Sequence, residues 1–176
     1  STVCNLLKLH GFLTIDADKI AHKLLDENSS KIEEMFGKEY VENGKVLRKE
    51  LGKIIFSNEE NKLKLEALLH PLIKEEIIKE SKIYEEQNKP YFVDIPLFFE
   101  KMHYPISKSL VIYTPKELQI QRLMKRDNID EKEAKLKISN QMDIEEKRKL
   151  ANIVIDNSKD LKHLQNEVER VIGEII

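Results

Sequence analysis

Acidic residues follow short apolar segments at two places in the chain. Asp16 and Asp18 follow residues 12–15, and Asp94 follows residues 91–93. If both segments are strands of a parallel sheet, their carboxyl ends lie at one edge, where Asp16 could accept a proton from an attacking hydroxyl and Asp94 could hold Mg²⁺ directly or through water. Each also has a simpler interpretation. Asp16 or Asp18 could cap the next helix, and many buried strands end in aspartate.

Basic residues are concentrated later in the chain. Arg122, Lys125 and Arg126 lie within about one helical turn, and further Lys and Arg residues alternate with acids up to residue 149. The simplest interpretation is a solvated face. The functional alternative is a mobile lid whose guanidinium groups close over transferring phosphates and bind two oxygens at once.

Two other segments combine unusual residue types. His70 and Pro71 predict the start of a helix, with His70 at the N-cap and Pro71 at the first helical position, which favours a structural role for the histidine. Phe98 and Phe99 follow Pro96 closely, and we expect these adjacent rings to belong to the core. Each of these interpretations considers the residues alone, without the surrounding motif.

Four apolar segments predict the strands of one open parallel sheet, because each ends in a polar residue and is followed by a helical pattern. In such a sheet the carboxyl ends open into one crevice, so the polar residues at the four ends should converge on a ligand site. The segments are residues 12–16, 91–96, 109–114 and 152–156, and they end in Asp16, Asp94 (two residues before Pro96), Thr114 and Asp156.

The stretch between the first two strands is mainly helical. Residues 28–89 are strongly charged and predict a helical insertion, except at 40–47, where Asn43 and Gly44 predict a tight hairpin. Four helix starts fit the capping-box spacing, in which a Glu three residues on bonds back to the cap. They are Ser57, Thr114 (with Pro115 at the first helical position), Asp130 and Asp143.

Composition limits the class of protein. A chain of 176 residues predicts one compact domain, and a net charge of −2 with a pI near 6.2 disfavours nucleic acid as the main partner. The sequence contains no apolar segment long enough to predict a membrane span. The single cysteine, Cys4, cannot form an internal disulfide, so we expect a core position for it and a cytoplasmic location for the protein.

Several of these segments in order resemble the dephospho-CoA kinase family of P-loop kinases. The motifs that carry the resemblance are residues 1–3 before a helix, 15–18 (Ile-Asp-Ala-Asp), 43–44, 47–48, 69–71 (Leu-His-Pro), 94–100 (Asp-Ile-Pro-Leu-Phe-Phe-Glu), 117–119, 122–127, Gln141 and 154–157. The resemblance implies an α/β fold with a P-loop kinase-type parallel sheet flanked by helices. It also implies a nucleotide-binding core (1–27, 90–121 and 149–176), a helical acceptor-binding insertion (28–89) and a small helical lid (122–148).

The resemblance implies that ATP, with Mg²⁺, phosphorylates the ribose 3′-hydroxyl of dephospho-CoA to give coenzyme A. It gives Asp16 a catalytic role and makes Arg126 the lid arginine. Ser1, Thr2, Asp94 and Asn157 are then expected to bind the nucleotide, with Ser1 and Asp94 on the metal. The expected substrate-binding residues are Asp18, His70, Lys74, Pro96, Phe99 and Arg122.

The sequence departs from the family pattern in three places. Lys74 stands where the family usually has Arg, Asn152 stands where Asp is common, and the glycines and lysine of the Walker A motif are absent before Ser1. We therefore expect a longer protein to exist, and we expect the 176 residues alone not to bind ATP with kinase-like affinity. The sheet should contain a gap or a strand preceding Ser1, because the strands at 12–16 and 91–96 otherwise lack a shared neighbour.

Two alternatives remain from the sequence. One is a P-loop kinase for another acceptor, such as a nucleoside monophosphate. The other is a non-catalytic protein that binds CoA or a nucleotide but lacks the P-loop. The oligomeric state does not follow from the sequence.

Overall fold

The computed structural model describes residues 2–101 and 104–175 of the chain. It divides into two compact units, which we call unit 1 (Ser1–Gly11 with Pro96–Ile176) and unit 2 (Phe12–Ile95). The division into core, insertion and lid is a division by function and stays a prediction.

Unit 2 contains one parallel strand pair, one hairpin and four α-helices among its described residues. In chain order they are β1 Leu13–Asp16, α2 Ala17–Glu27, α3 Ser29–Phe36, a 3-10 turn Lys38–Tyr40, β2 Val41–Glu42, β3 Lys45–Val46, α4 Arg48–Ser57, α5 Glu59–Glu86 and β4 Tyr91–Asp94. The hairpin is confirmed: β2 and β3 pair antiparallel, and Asn43 and Gly44 have φ of 51° and 72°, as a type I′ turn requires.

The predicted helix start at His70 is wrong. Helix α5 runs without interruption through His70 and Pro71. A proline inside a helix removes one hydrogen bond and costs ~3 kcal/mol or more. Here the buried side chains Leu69, Ile73 and Ile77 lie one turn apart on both sides of Pro71. Their burial outweighs the local cost, because helices in proteins are stabilised mainly by packing of one face.

Unit 1 contains the second parallel strand pair and six helices among its described residues. In chain order they are α1 Thr2–Leu9, α6 Phe98–Lys101, β5 Leu110–Tyr113, α7 Lys116–Asp127, α8 Glu131–Ser139, α9 Ile144–Leu150, β6 Ile153–Asp156 and α10 Leu161–Ile175. Helix α10 contacts β6 and α1, and its buried residues Leu164, Val168 and Val171 lie on one stripe. The half-buried Cys4 lies on α1.

The α/β class with parallel strands flanked by helices is confirmed, although the strands are paired differently from the prediction. β1 pairs with β4, and β5 pairs with β6, each over four residues, so the described strands form two separate parallel pairs. The strands at 12–16 and 91–96 therefore need no shared neighbour, because they are hydrogen-bonded directly to each other. The reason given for the expected gap was therefore wrong, although among the described residues no hydrogen-bonded strand joins the two pairs.

Two of the four predicted helix caps are confirmed and two are wrong. Asp130 accepts the Glu133 N–H as predicted, and Asp143 caps α9 through the Glu145 N–H. The cap of α5 is Asn58 instead of Ser57. Thr114 does not cap α7, because its buried hydroxyl donates to the Asn157 carbonyl, and Pro115 occupies the cap position. The end of β5 is thus bonded to the residue that follows β6.

Candidate functional site

The carboxyl ends of β1 and β4 bring two predicted acidic residues side by side in unit 2. Asp16 and Asp94 are direct partners in the strand register, so both carboxylates lie at the same edge of this parallel pair. Asp18 follows in the first turn of α2. The expectation that polar strand ends meet is confirmed for Asp16 and Asp94, and their role in a ligand site stays a prediction.

Asp16 caps α2, as the simpler interpretation of the sequence held. Its Oδ1 accepts the Lys19 N–H at 3.0 Å, and its Oδ2 lies 3.8 Å from the Lys19 ammonium. The cap uses one carboxylate oxygen, and the side chain is 37% exposed. Capping and proton acceptance therefore do not exclude each other, since a carboxylate has two oxygens and about four lone-pair sites.

The carboxylates influence one another electrostatically. Partial burial among neighbouring atoms, and then the negative charges of Asp16 and Asp94, raise the pKa of Asp18, while His22 one turn further along α2 acts in the opposite direction. Asp18 keeps an exposed surface. Like charges at one strand edge favour the approach of a proton or a cation.

A pocket of about 1000 Å³ lies in unit 1 and has several cationic side chains in its wall. Four of the residues predicted from the sequence line it: Thr2, Arg122, Arg126 and Asn157. Its volume is at the upper end of the range for small-molecule sites, which is ~300–1,000 Å³. The concentration of positive charge favours an anionic ligand.

Arg122 is bonded to the loop after β6. Its guanidinium donates to the carbonyl of Asn157 at 2.8 Å and to that of Lys159 at 3.2 Å. The Asn157 carbonyl also accepts the Thr114 hydroxyl, so the contribution of Asn157 to this network is through its backbone. Arg122 therefore shapes the pocket wall by fixing a loop.

Arg126 is paired with its neighbour in the chain. Its Nε donates to Asp127 Oδ1 at 2.7 Å, and Lys137 of α8 lies 3.4 Å from the other oxygen of Asp127. The hydrogen bond to Asp127 raises the pKa of Arg126, whose side chain is 73% exposed. Contact with a phosphate would require this guanidinium to exchange one anionic partner for another.

Lys147 is a residue of the pocket wall to which sequence reasoning gave no role. Its side chain is 10% exposed, and its ammonium lies 2.7 Å from Glu100 Oε1. Burial raises the pKa of Glu100, but hydrogen bonds from Lys147 and from the Met142 N–H outweigh it and hold that pKa below its usual value. No local pattern marks it, because Lys147 stands within a run of charged residues from 145 to 149.

The remaining predicted residues have other surroundings. His70 is half-buried and Lys74 is exposed, and both lie within α5. The Pro96 carbonyl accepts a hydrogen bond from Lys147, and the Phe99 ring packs edge-on against Phe98 with centroids 5.2 Å apart. Ser1 lies outside the described residues.

The described part of the chain offers neither a cluster of candidate metal ligands nor a membrane-spanning helix. Residues 2–101 and 104–175 contain no group of three or more His, Cys, Asp or Glu side chains placed to hold a metal ion. None of the helices in those ranges is both long enough and apolar enough to cross a membrane.

Parallel strands flanked by helices, with carboxylates at two strand ends and a cation-lined pocket, place the chain in the α/β class typical of P-loop kinases. A family model described as dephospho-CoA kinase matches residues 1–163. The chain belongs to the dephospho-CoA kinase family.

Similar proteins cover nearly the whole chain. A dephospho-CoA kinase of Sulfurimonas denitrificans is 49% identical over 99% of this chain and 88% of its own length. One of Wolinella succinogenes is 44% identical, again over 99% of this chain and 88% of its own length. Among solved structures, dephospho-CoA kinase from Campylobacter jejuni is 42% identical with a TM-score of 0.77, covering 99% of this chain and 90% of that one. A Thermus thermophilus structure has 30% identity and a TM-score of 0.84, covering 99% and 91%.

Proposed function

We propose that the protein transfers the γ-phosphoryl group of ATP to the ribose 3′-hydroxyl of dephospho-CoA, giving coenzyme A and ADP. The observation that carries the proposal is the pairing of Asp16 with Asp94 at the carboxyl ends of two parallel strands, in a chain of this family. Phosphoryl transfer depends mainly on positioning and on stabilisation of charge, and a carboxylate beside the reacting hydroxyl orients that hydroxyl and accepts its proton.

Asp16 is the residue we assign to the acceptor. Its Oδ1 is bonded to the Lys19 N–H, which fixes the orientation of the carboxylate. The other carboxylate oxygen of Asp16 accepts the proton of the 3′-hydroxyl while the oxygen of that hydroxyl attacks the γ-phosphorus. The bond from the γ-phosphorus to the bridging oxygen breaks, and ADP leaves with its electron pair.

Mg²⁺ fits the same strand edge. It needs oxygen ligands and commonly takes one or two carboxylates, with the rest supplied by water and substrate phosphates. Asp94 offers one carboxylate beside Asp16, which is sufficient for such a site. The ion would neutralise phosphate charge, and we assign Asp94 and the hydroxyl of Ser1 to holding it.

The nucleotide phosphates belong in the cationic pocket of unit 1. Thr2, the first residue of α1, lies in its wall, and a helix start favours anions through its exposed N–H groups. Arg126 neutralises charge that develops on the transferring group, after leaving Asp127. We assign the binding of dephospho-CoA to the insertion (28–89) and name Asp18, His70 and Lys74 as its contacts. We also propose that residues 122–148 move as a lid.

A coupled assay of ADP release tests the proposal on the full-length protein. Dephospho-CoA, AMP and pantetheine are compared as acceptors at equal concentration. We expect turnover with dephospho-CoA and its loss when Mg²⁺ is removed by a chelator. Turnover on AMP without turnover on dephospho-CoA would overturn the assignment.

A further inference from the structure

A nearly buried ion pair joins helices α6 and α9 within unit 1. Glu100 Oε1 lies 2.7 Å from Lys147 Nζ, and the two side chains are 18% and 10% exposed. Exposed pairs on the same helix are very different: Glu146 and Lys149 are 61% and 72% exposed. Only pairs shielded from water hold their members in one place against thermal motion and salt.

The same carboxylate oxygen also fixes the backbone that leads into α9. Glu100 Oε1 accepts the Met142 N–H at 2.9 Å, and Met142 lies two residues before the first residue of α9. Lys147 Nζ donates in addition to the Pro96 carbonyl at 3.3 Å. Residues 96–100 therefore hold two parts of α9 in place. These are the backbone that leads into the helix and the ammonium group of Lys147, which lies in its first two turns.

Stability does not explain this arrangement. Glu100 Oε2 is buried and has no hydrogen-bond partner in the described part of the chain. A buried acceptor without a partner is costly, and replacing a buried ion pair by uncharged residues of similar volume is often neutral or stabilising. The pair is therefore weak evidence for a stabilising role, and its place in the fold points to a functional one.

The position of Lys147 supplies that reason. It lines the cationic pocket together with Arg122 and Arg126. An ammonium group has three N–H donors, and Glu100 and Pro96 take two of them. Neither of these two partners takes the third, which leaves one donor for an anion in the pocket.

We propose that Glu100 is a positioning residue for phosphoryl transfer, which holds the Lys147 ammonium and the start of α9 at a fixed place in the wall of the nucleotide pocket. The inference rests on the proposed function, because it takes the pocket to hold the phosphates. A cation fixed before the reaction stabilises developing charge without a cost of reorganisation, so its effect belongs to kcat.

Glu100→Gln is the variant of choice, because the amide oxygen keeps an acceptor for the Met142 N–H while the charge is removed. We expect kcat to fall by about tenfold or more, the effect of losing a charge-assisted contact in the transition state, with KM for ATP and dephospho-CoA changed by less than about threefold. The matched controls, Glu146→Gln and Lys149→Met, should leave kcat within about twofold, as expected for an exposed pair.

The double variant Glu100→Gln/Lys147→Met removes both charges and leaves no buried ion unpaired. We expect it to unfold at the same urea concentration as the unchanged protein or higher, and to remain as inactive as Glu100→Gln or more so. Recovery of kcat in this variant would overturn the proposal, because an unpaired charge would then explain the defect. A kcat of Glu100→Gln within about twofold of normal, in a folded protein, would overturn it as well.

Hydrogen exchange across residues 142–150 reports the positioning without a substrate. We expect faster exchange in Glu100→Gln and no change in Glu146→Gln. Unchanged exchange in Glu100→Gln would overturn the positioning role even if kcat fell. Absence of turnover in the unchanged full-length protein would instead contradict the proposed function, so the two failures are distinguishable.

Discussion

The two units carry opposite charge at their candidate sites, and they use it differently. In unit 2, Asp16 and Asp94 lie in register at the ends of β1 and β4, and burial together with these two charges raises the pKa of Asp18. In unit 1, the pocket wall contains Arg122, Arg126 and Lys147, among other cations. The acidic edge suits a proton and a metal ion, and the basic pocket suits phosphates.

The difference extends to how the side chains are held. Arg122 is bonded to two carbonyls, and Lys147 is held by Glu100 and Pro96, so part of the positive charge is fixed in advance. Asp16 accepts a hydrogen bond on Oδ1, while its Oδ2 lies 3.8 Å from the exposed Lys19 ammonium. Arg122 and Lys147 are thus held in place by neighbouring groups of the pocket wall, whereas Asp16 presents a half-buried carboxylate that remains accessible.

The largest expected effect comes from removing the charge at the acidic edge. Asp16→Asn should lower kcat by ~10²–10⁴, the range for loss of a general base. Because Asn caps helices as well as Asp, α2 should remain intact and the urea midpoint nearly unchanged. The measurement is steady-state kinetics with dephospho-CoA, accompanied by urea unfolding.

Asp130→Asn is the matched control for Asp16→Asn. Asp130 makes the same type of cap bond, to the Glu133 N–H of α8. We expect its kcat to stay near normal. Near-normal kcat in a folded Asp16→Asn protein would reduce Asp16 to a capping residue and remove the chemistry from the acidic edge.

Arg126→Lys tests the basic pocket next. Lysine keeps the charge but loses the planar fork that binds two phosphate oxygens. One lost charge-assisted hydrogen bond is worth about 1.5–3 kcal/mol, so kcat should fall by roughly tenfold to a hundredfold, with a smaller change in KM. Lys125→Met, a change of an exposed neighbour, is the control. An effect on KM alone would make Arg126 a ground-state binder.

Arg122→Lys should have a smaller effect and a different signature. Lysine cannot hold both carbonyls of the loop at Asn157 and Lys159, so the pocket wall loosens. We expect KM for ATP to rise roughly three- to tenfold, the effect of losing one solvent-exposed hydrogen bond of about 0.5–1.5 kcal/mol, with kcat little changed. A fall in kcat with unchanged KM would show that Arg122 touches the transferring group instead of the loop.

The parts of the molecule that were predictable are those with local signals. Asn43 and Gly44 are of the two residue types that most readily take the positive φ of a tight turn, and the four predicted strands are short apolar runs that end in polar residues. The strand pairing was not predictable in full, because hydrogen bonding between distant segments has no signature in either segment alone. The helix break expected at Pro71 failed for a related reason, since the buried stripe of α5 depends on tertiary packing.

The candidate site was predictable only where charge and motif coincided. Asp16, Asp94, Arg122 and Arg126 stood out by type and spacing. Lys147 did not, because a lysine within a run of charged residues gives no sign that it will be buried. Glu100, in turn, was visible only as the last residue of a motif, and its pairing with a residue 47 positions later is a tertiary contact.

The smallest effect on kcat is expected for a substitution of Asp156. It tests whether every acidic residue at a strand end takes part in catalysis. It lies opposite Tyr113 in the register of β5 and β6, as Asp94 lies opposite Asp16 in unit 2. Its two oxygens, however, are bonded within unit 1, to the Ser158 N–H at 2.9 Å and to His163 Nε2 at 3.0 Å. We therefore expect a role in stability.

Asp156→Asn should lower the free energy of unfolding at pH 7 by about 0.5–1 kcal/mol, since the side chain is partly exposed and solvent weakens the pairing, and it should leave kcat near normal.

Burial raises the pKa of Asp156, but its hydrogen bonds from Ser158 and His163 hold that pKa below the usual 3.8. A carboxyl with a lowered folded-state pKa stabilises the protein above its unfolded pKa, and that contribution is lost as the pH falls through the folded value. Urea unfolding of both proteins from pH 7 to pH 3 should therefore show a difference that is constant down to about pH 5 and shrinks below pH 4. A difference that stayed constant down to pH 3 would contradict this stabilising role, and a large fall in kcat would place Asp156 among the chemical acids and remove the contrast between the two units.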